Sequence, residues 1–146
     1  MQKVREIRGL SSIKFTDNSG KVLWAFGAAM ERGLETIGMV AETHAKEAIT
    51  RQKAVDTGRL RNSITYAVKK REGEAFSYRD DEGNTYSDRI GSGVEENEVY
   101  IGTNVEYAPF VEMGTSRMPS RPFLKPAATE HGEEYKQILK ESMENA

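Results

Sequence analysis

The chain has 146 residues, 37% apolar and 30% charged, which suits one globular domain with a modest core. It holds no cysteine, which excludes disulfides, thiolate zinc sites and cysteine nucleophiles. A formal net charge of −2 gives no general attraction to nucleic acid, and no stretch approaches the roughly 20 apolar residues that a membrane span needs.

Residues 1–20 read as an N-terminal arm, either irregular or a short strand, with Ile13 and Phe15 alternating between polar neighbours. Lys3, Arg5 and Arg8 have no apolar run behind them, so this is not the pattern of a secretory signal. Residues 21–146 read as one α+β domain. Over residues 21–51, Leu23, Phe26, Met30, Leu34, Ile37, Ala41, Ala45 and Ala48 follow one another in steps of three and four, which keeps a single stripe on a helix. Gly27, Gly33 and Gly38 weaken that helix and point to close packing or a bend. Trp24 and Met39 fall off the stripe, which makes Trp24 a candidate contact for a partner.

Val55-Asp56-Thr57-Gly58 ends the helical pattern. Asp56 can accept the amides of Gly58 and Arg59 as an Asx-turn does, and Gly58 can take a positive φ. From Leu60 the chain alternates, with Leu60, Asn62, Ile64, Tyr66 and Val68 on one face, and reads as a strand. Residues 71–98 contain nine acids and three bases, a net of −6, so the remainder of the chain carries +4. The plain reading of this segment is a solvated acidic loop or a long hairpin, with short strand pieces near Phe76 and Thr85. A run of Glu-Val-Tyr-Ile-Gly-Thr at residues 98–103 reads as the second clear strand.

Tyr107 to Met113 is apolar apart from Glu112 and reads as a short helix closed by Gly114. Tyr107, Phe110 and Val111 are expected to anchor it on the sheet. Glu112 can pair with Arg59, Arg61 or Arg121, accept amides of the proline linker, or serve a contact between subunits. Pro119, Pro122 and Pro126 forbid regular structure in that linker. A last helix is expected from Pro126 to Ser142. The fold is therefore α+β, with a long N-terminal helix and a C-terminal helix packed on a small, mainly antiparallel sheet.

Three segments together are similar to the tail-component family of siphophages, whose members serve as head–tail neck or tail-completion proteins. They are Val55-Asp56-Thr57-Gly58-Arg59-Leu60-Arg61-Asn62-Ser63-Ile64, then Val99-Tyr100-Ile101-Gly102-Thr103-Asn104-Val105-Glu106-Tyr107-Ala108-Pro109-Phe110-Val111-Glu112-Met113-Gly114-Thr115, then Arg121-Pro122-Phe123-Leu124-Lys125-Pro126-Ala127. The long acidic stretch at residues 71–98 is where this chain departs from the pattern. The residues that match are Asp56, Thr57, Gly58, Leu60, Gly102, Tyr107, Ala108, Glu112, Gly114, Thr115, Pro122, Phe123, Leu124 and Pro126.

The resemblance implies a virion subunit assembled in the bacterial host cytoplasm, forming a ring at the head–tail interface. It would contact the head connector or stopper and the tail terminator or tail tube, with non-specific contact to passing DNA. Candidate interface residues are Trp24, Phe110, Phe123, Asp80, Asp81, Glu82, Glu95 and Glu96. A tail-tip or baseplate component is the alternative, and a DNA-binding module a weaker one, resting on Lys3, Arg5, Arg8 and Lys14 alone.

No enzyme is expected, and no catalytic residue, small-molecule substrate, cofactor or membrane partner. Gly91-Ser92-Gly93 lacks the lysine and strand–helix context of a phosphate loop, and no serine sits in a nucleophile elbow. His44 and His131 have no ligand partner at metal-binding spacing in the sequence, so no metal is expected.

Overall fold

The computed structural model describes residues 2–7, 10–16, 27–52 and 58–145. Trp24, Asp56 and Thr57 lie outside the described residues, and with them the expected Asx-turn. In chain order the elements are β1 (Gln2–Ile7), β2 (Leu10–Thr16), α1 (Gly27–Arg51), α2 (Arg59–Ser63), β3 (Thr65–Ala67), a 3₁₀ turn (Lys69–Arg71), β4 (Ala75–Arg79), β5 (Thr85–Arg89), β6 (Glu98–Thr103), α3 (Ala108–Met113), α4 (Leu124–Thr129) and α5 (Gly132–Glu144). The class is α+β, with antiparallel pairing throughout.

The larger sheet has the order β1-β2-β6-β3. The segment read as an arm thus supplies two strands, and β2 pairs with β6 from Ser11 opposite Thr103 to Thr16 opposite Glu98. β4 and β5 form a separate hairpin.

Every residue of β6 is buried, because the sheet is covered on both faces. Val99 and Ile101 join the main core with Met30, Leu34, Ile37, Ala45, Ile64, Phe123 and Tyr135. Tyr100, on the opposite face by the alternation of a strand, packs with Ala67, Ile90 and Val94, and Phe76 adds to that second cluster. The acidic stretch is therefore structured: its apolar members form the lid of the second face.

α1 is a helix because its apolar residues keep one stripe, and every expected stripe residue from Met30 to Ala48 is buried. It packs on α5, α4, β3 and β6. Gly38 makes this possible: a Cβ there would sit 2.6 Å from Cγ of the Tyr66 ring, closer than two such atoms approach. Of the two readings of these glycines, close packing is the one seen at Gly33 and Gly38.

Two expectations are corrected. The strand expected from Leu60 begins only at Thr65. Residues Arg59–Ser63 form a helical turn, with the Asn62 amide donating to Gly58 O and the Ser63 hydroxyl to Leu60 O. Gly58 takes φ 78°, as read, but opens a helical turn. The single C-terminal helix is two: α4 ends at Thr129, and α5 begins at Gly132 and folds back so that the Tyr135 hydroxyl donates to Ala127 O at 2.5 Å. That phenol is fully enclosed, and burial holds its pKa far above the ordinary tyrosine value.

Candidate assembly surface and histidine–carboxylate cluster

The family-like segments meet in one clasp. Thr103, at the end of β6, is completely buried; its hydroxyl lies 2.5 Å from that of Ser63 and accepts the Val105 amide. Gly102 precedes it within β6. The chain then turns into α3, where Ala108 faces the core. Gly114 closes α3 with φ 77°, and a Cβ there would meet the Ser120 backbone nitrogen at 2.6 Å. The Thr115 hydroxyl accepts the amides of Arg117 and Met118, folding residues 115–118 into a turn. The chain returns alongside itself, and the Arg121 amide donates to Val111 O at 2.7 Å.

Glu112 secures the return. Its Oε1 accepts the amides of Phe123 and Leu124 at 2.9 and 2.8 Å, and its Oε2 accepts that of Lys125 at 3.1 Å. These amides open α4 and have no acceptor within the helix, so the carboxylate caps it from outside. Of the alternatives open in the sequence, acceptance of linker amides is the one realised. Pro126 sits in the first turn of α4, where its missing N–H costs nothing. Gln52 reaches the clasp from α1 and donates to Pro122 O at 2.6 Å.

The two phenylalanines taken as candidate contacts separate cleanly. Phe123 is 0% exposed in the main core beside Leu124 and Leu60, so it is a core residue and not an interface one. Phe110 is 56% exposed, and it shares a face of α3 with Tyr107 and Met113, 37% and 66% exposed. Tyr107 and Phe110 therefore do not anchor the helix; Ala108 and the half-buried Val111 do. The three-residue spacing of Tyr107, Phe110 and Met113 is the sequence signal for this outward face.

The acidic candidates also divide. Asp80 is buried and holds the tip of the β4–β5 hairpin: Oδ1 accepts the amides of Glu82 and Asn84, and Oδ2 accepts the Asn84 amide group and the Tyr86 hydroxyl. The bond from the Asn84 side chain, with the amides and Tyr86, lowers its pKa below the usual aspartate value. Its place among the contact residues is thereby corrected. Glu72 accepts the amides of Gly93 and Val94, and Glu98 is buried and accepts that of Glu95. Asp81 meets Arg61 at 3.3 Å. Glu82, Glu95 and Glu96 remain exposed.

The hairpin is tied to the body by an aromatic and charged stack. Tyr78 stacks on Tyr86 at 5.3 Å, the Arg59 guanidinium lies 4.4 Å over Tyr86, and Arg59 reaches Glu106 at 3.2 Å. The Tyr78 hydroxyl donates to Asn104 at 2.6 Å.

The histidines, distant in sequence, are together in space. His44 of α1 and His131 at the start of α5 stack in parallel with ring centroids 3.5 Å apart. His44 Nε2 lies 2.6 Å from Glu134 Oε1, and His131 Nδ1 lies 4.0 Å from the same oxygen. Sequence spacing could not bring them together, because the partners sit on different elements.

A family model described as "Bacteriophage HK97-gp10, putative tail-component" matches residues 13–114. No curated protein and no solved structure matches the chain.

Proposed function

Starting from the fact that the chain belongs to the HK97-gp10-like family of bacteriophage tail components, we propose that it is a non-enzymatic structural subunit of the head–tail joint. In this reading it is a neck or tail-completion protein that links the head connector to the tail tube. The observation that carries the proposal is the outward face of Tyr107, Phe110 and Met113, held on a helix whose other face and ends are fixed by Ala108, Gly114 and the Glu112 clasp. Rigid apolar side chains on a pinned element are what a protein contact uses: little ordering entropy is lost on docking and apolar area is removed from water.

A ring of copies around a channel requires a heterologous contact that closes. The α3 face supplies one half of such a contact. The exposed carboxylates Glu82, Glu95 and Glu96 suit a position on the lumen, where they repel DNA phosphates and keep the genome sliding.

Deleting the gene from its phage and examining the lysate by electron microscopy tests the reading. DNA-filled heads and complete tails, present but unjoined, are expected, with joining restored by the purified chain. Absent or malformed tails would move the protein to the tail tip or baseplate.

A further inference from the structure

We propose that His44, His131 and Glu134 form a binding site for a divalent transition metal of the zinc class, which clamps α5 onto α1. One ligand atom from each of the three lies within 4.8 Å of the others. Around a tetrahedral ion bound at about 2.0–2.2 Å, ligand atoms stand about 3.3–3.6 Å apart, so the ligand atoms must shift by about 1 Å, within reach of side-chain rotation. Two imidazoles and a carboxylate are a donor set that selects zinc or its neighbours over calcium and magnesium, which prefer oxygen.

The surroundings fix one histidine and leave the other room to turn toward an ion. His44 rises from the middle of a long helix, while His131 is the residue that precedes the first turn of α5 and has Gly132 beside it. The first is fixed and the second can tilt, as the parallel rings must do for both nitrogens to face one ion. Tyr135 borders both rings, at 6.3 and 6.2 Å, and closes the inner side. Beyond the ligands, His44 Nδ1 lies 3.8 Å from Glu47 Oε2. A carboxylate behind the second nitrogen of a ligating histidine orients the ring and raises its basicity. In the metal-free protein His44 Nε2 donates its hydrogen to Glu134 Oε1. The metal takes the place of that proton, the nitrogen and the oxygen each giving it a lone pair, while the proton lost from Nε2 is replaced by one taken from solvent at Nδ1, on the Glu47 side, so that His44 binds as a neutral imidazole. Three protein ligands leave a further position for water.

The test uses the tag-free full chain, stripped with chelator and titrated with zinc. One zinc per chain is expected, with the thermal midpoint rising by roughly 5–10 °C at free zinc about 100 times the Kd. Cobalt in the same site should give visible absorption. His44→Gln, His131→Gln and Glu134→Gln should each lose the shift and the absorption, while Glu133→Gln, one residue away and outside the cluster, should keep both. Glu47→Gln should weaken binding by about tenfold. A wild-type chain that takes up no zinc overturns the proposal, as does a zinc shift that survives in all three ligand variants. Magnesium should leave the melting curve unmoved, and an equal response to it would also count against the site.

Discussion

Phe110 and Phe123 are the same residue in two different physical situations. Truncating Phe123 to Ala empties a sealed core position and should cost about 3–5 kcal/mol in chemical denaturation. Phe110→Ser removes apolar area that water already touches, so the isolated protein should change by only about 0.5 kcal/mol. Under the proposed function the effects on assembly reverse: Phe110→Ser should fold normally yet fail to restore head–tail joining to the deletion lysate. A Phe110→Ser chain that joins particles as well as wild type would remove the α3 face from the account. Glu112→Ala strips three amides of their acceptor and should cost about 1–3 kcal/mol, because each bond goes to a carboxylate. An unchanged denaturation midpoint would mean that the clasp contributes nothing.

At the scale of elements, the β4–β5 hairpin depends on one carboxylate. Asp80 has a lowered pKa when folded, so its contribution to stability is complete above the unfolded value near ~3.9 and is lost as pH falls through the folded value. Protection of the Glu82 and Asn84 amides from hydrogen exchange, taken relative to the intrinsic rate at each pH, should fall below about pH 4, and Asp80→Ala should lower it at neutral pH as well. Exchange that is indifferent to both would contradict the assignment. In α1, Gly38→Ala improves helix propensity by about 1 kcal/mol but drives a methyl into Tyr66, so a net loss of stability is expected.

These elements also show what a single sequence can reveal. α1 was legible because six small or apolar residues from Met30 to Ala48 recur at helical spacing and the core lies along that stripe. The stretch after Gly58 was misread because Leu60, Ile64 and Val68 are four apart, a step that fits a strand and a helix equally. What decides it is a tertiary contact, the Ser63 hydroxyl meeting Thr103 across forty residues. The fate of Glu112 was legible as one option among several, since its partners lie in the linker that the prolines keep open. The pairing of His131 with Glu134, three residues apart, was open to view, but the arrival of His44 beside them was not, because α1 and α5 meet only after the fold forms.

For the whole molecule, the chain is a mixed α+β body whose buried polar residues mostly hold its own turns: Asp80, Glu98, Thr103 and Ser63 each satisfy local or clasp partners. What it turns outward is an apolar helix face and a set of carboxylates, features that suit assembly with other virion proteins. The most direct measurement is the density of the intact virion with this subunit located in it. The chain is expected in a closed ring between connector and tail tube, with Phe110 and Met113 covered by a neighbouring protein and Glu82, Glu95 and Glu96 toward the channel. Density placing the chain elsewhere in the particle, or leaving the α3 face bare to solvent, would contradict it.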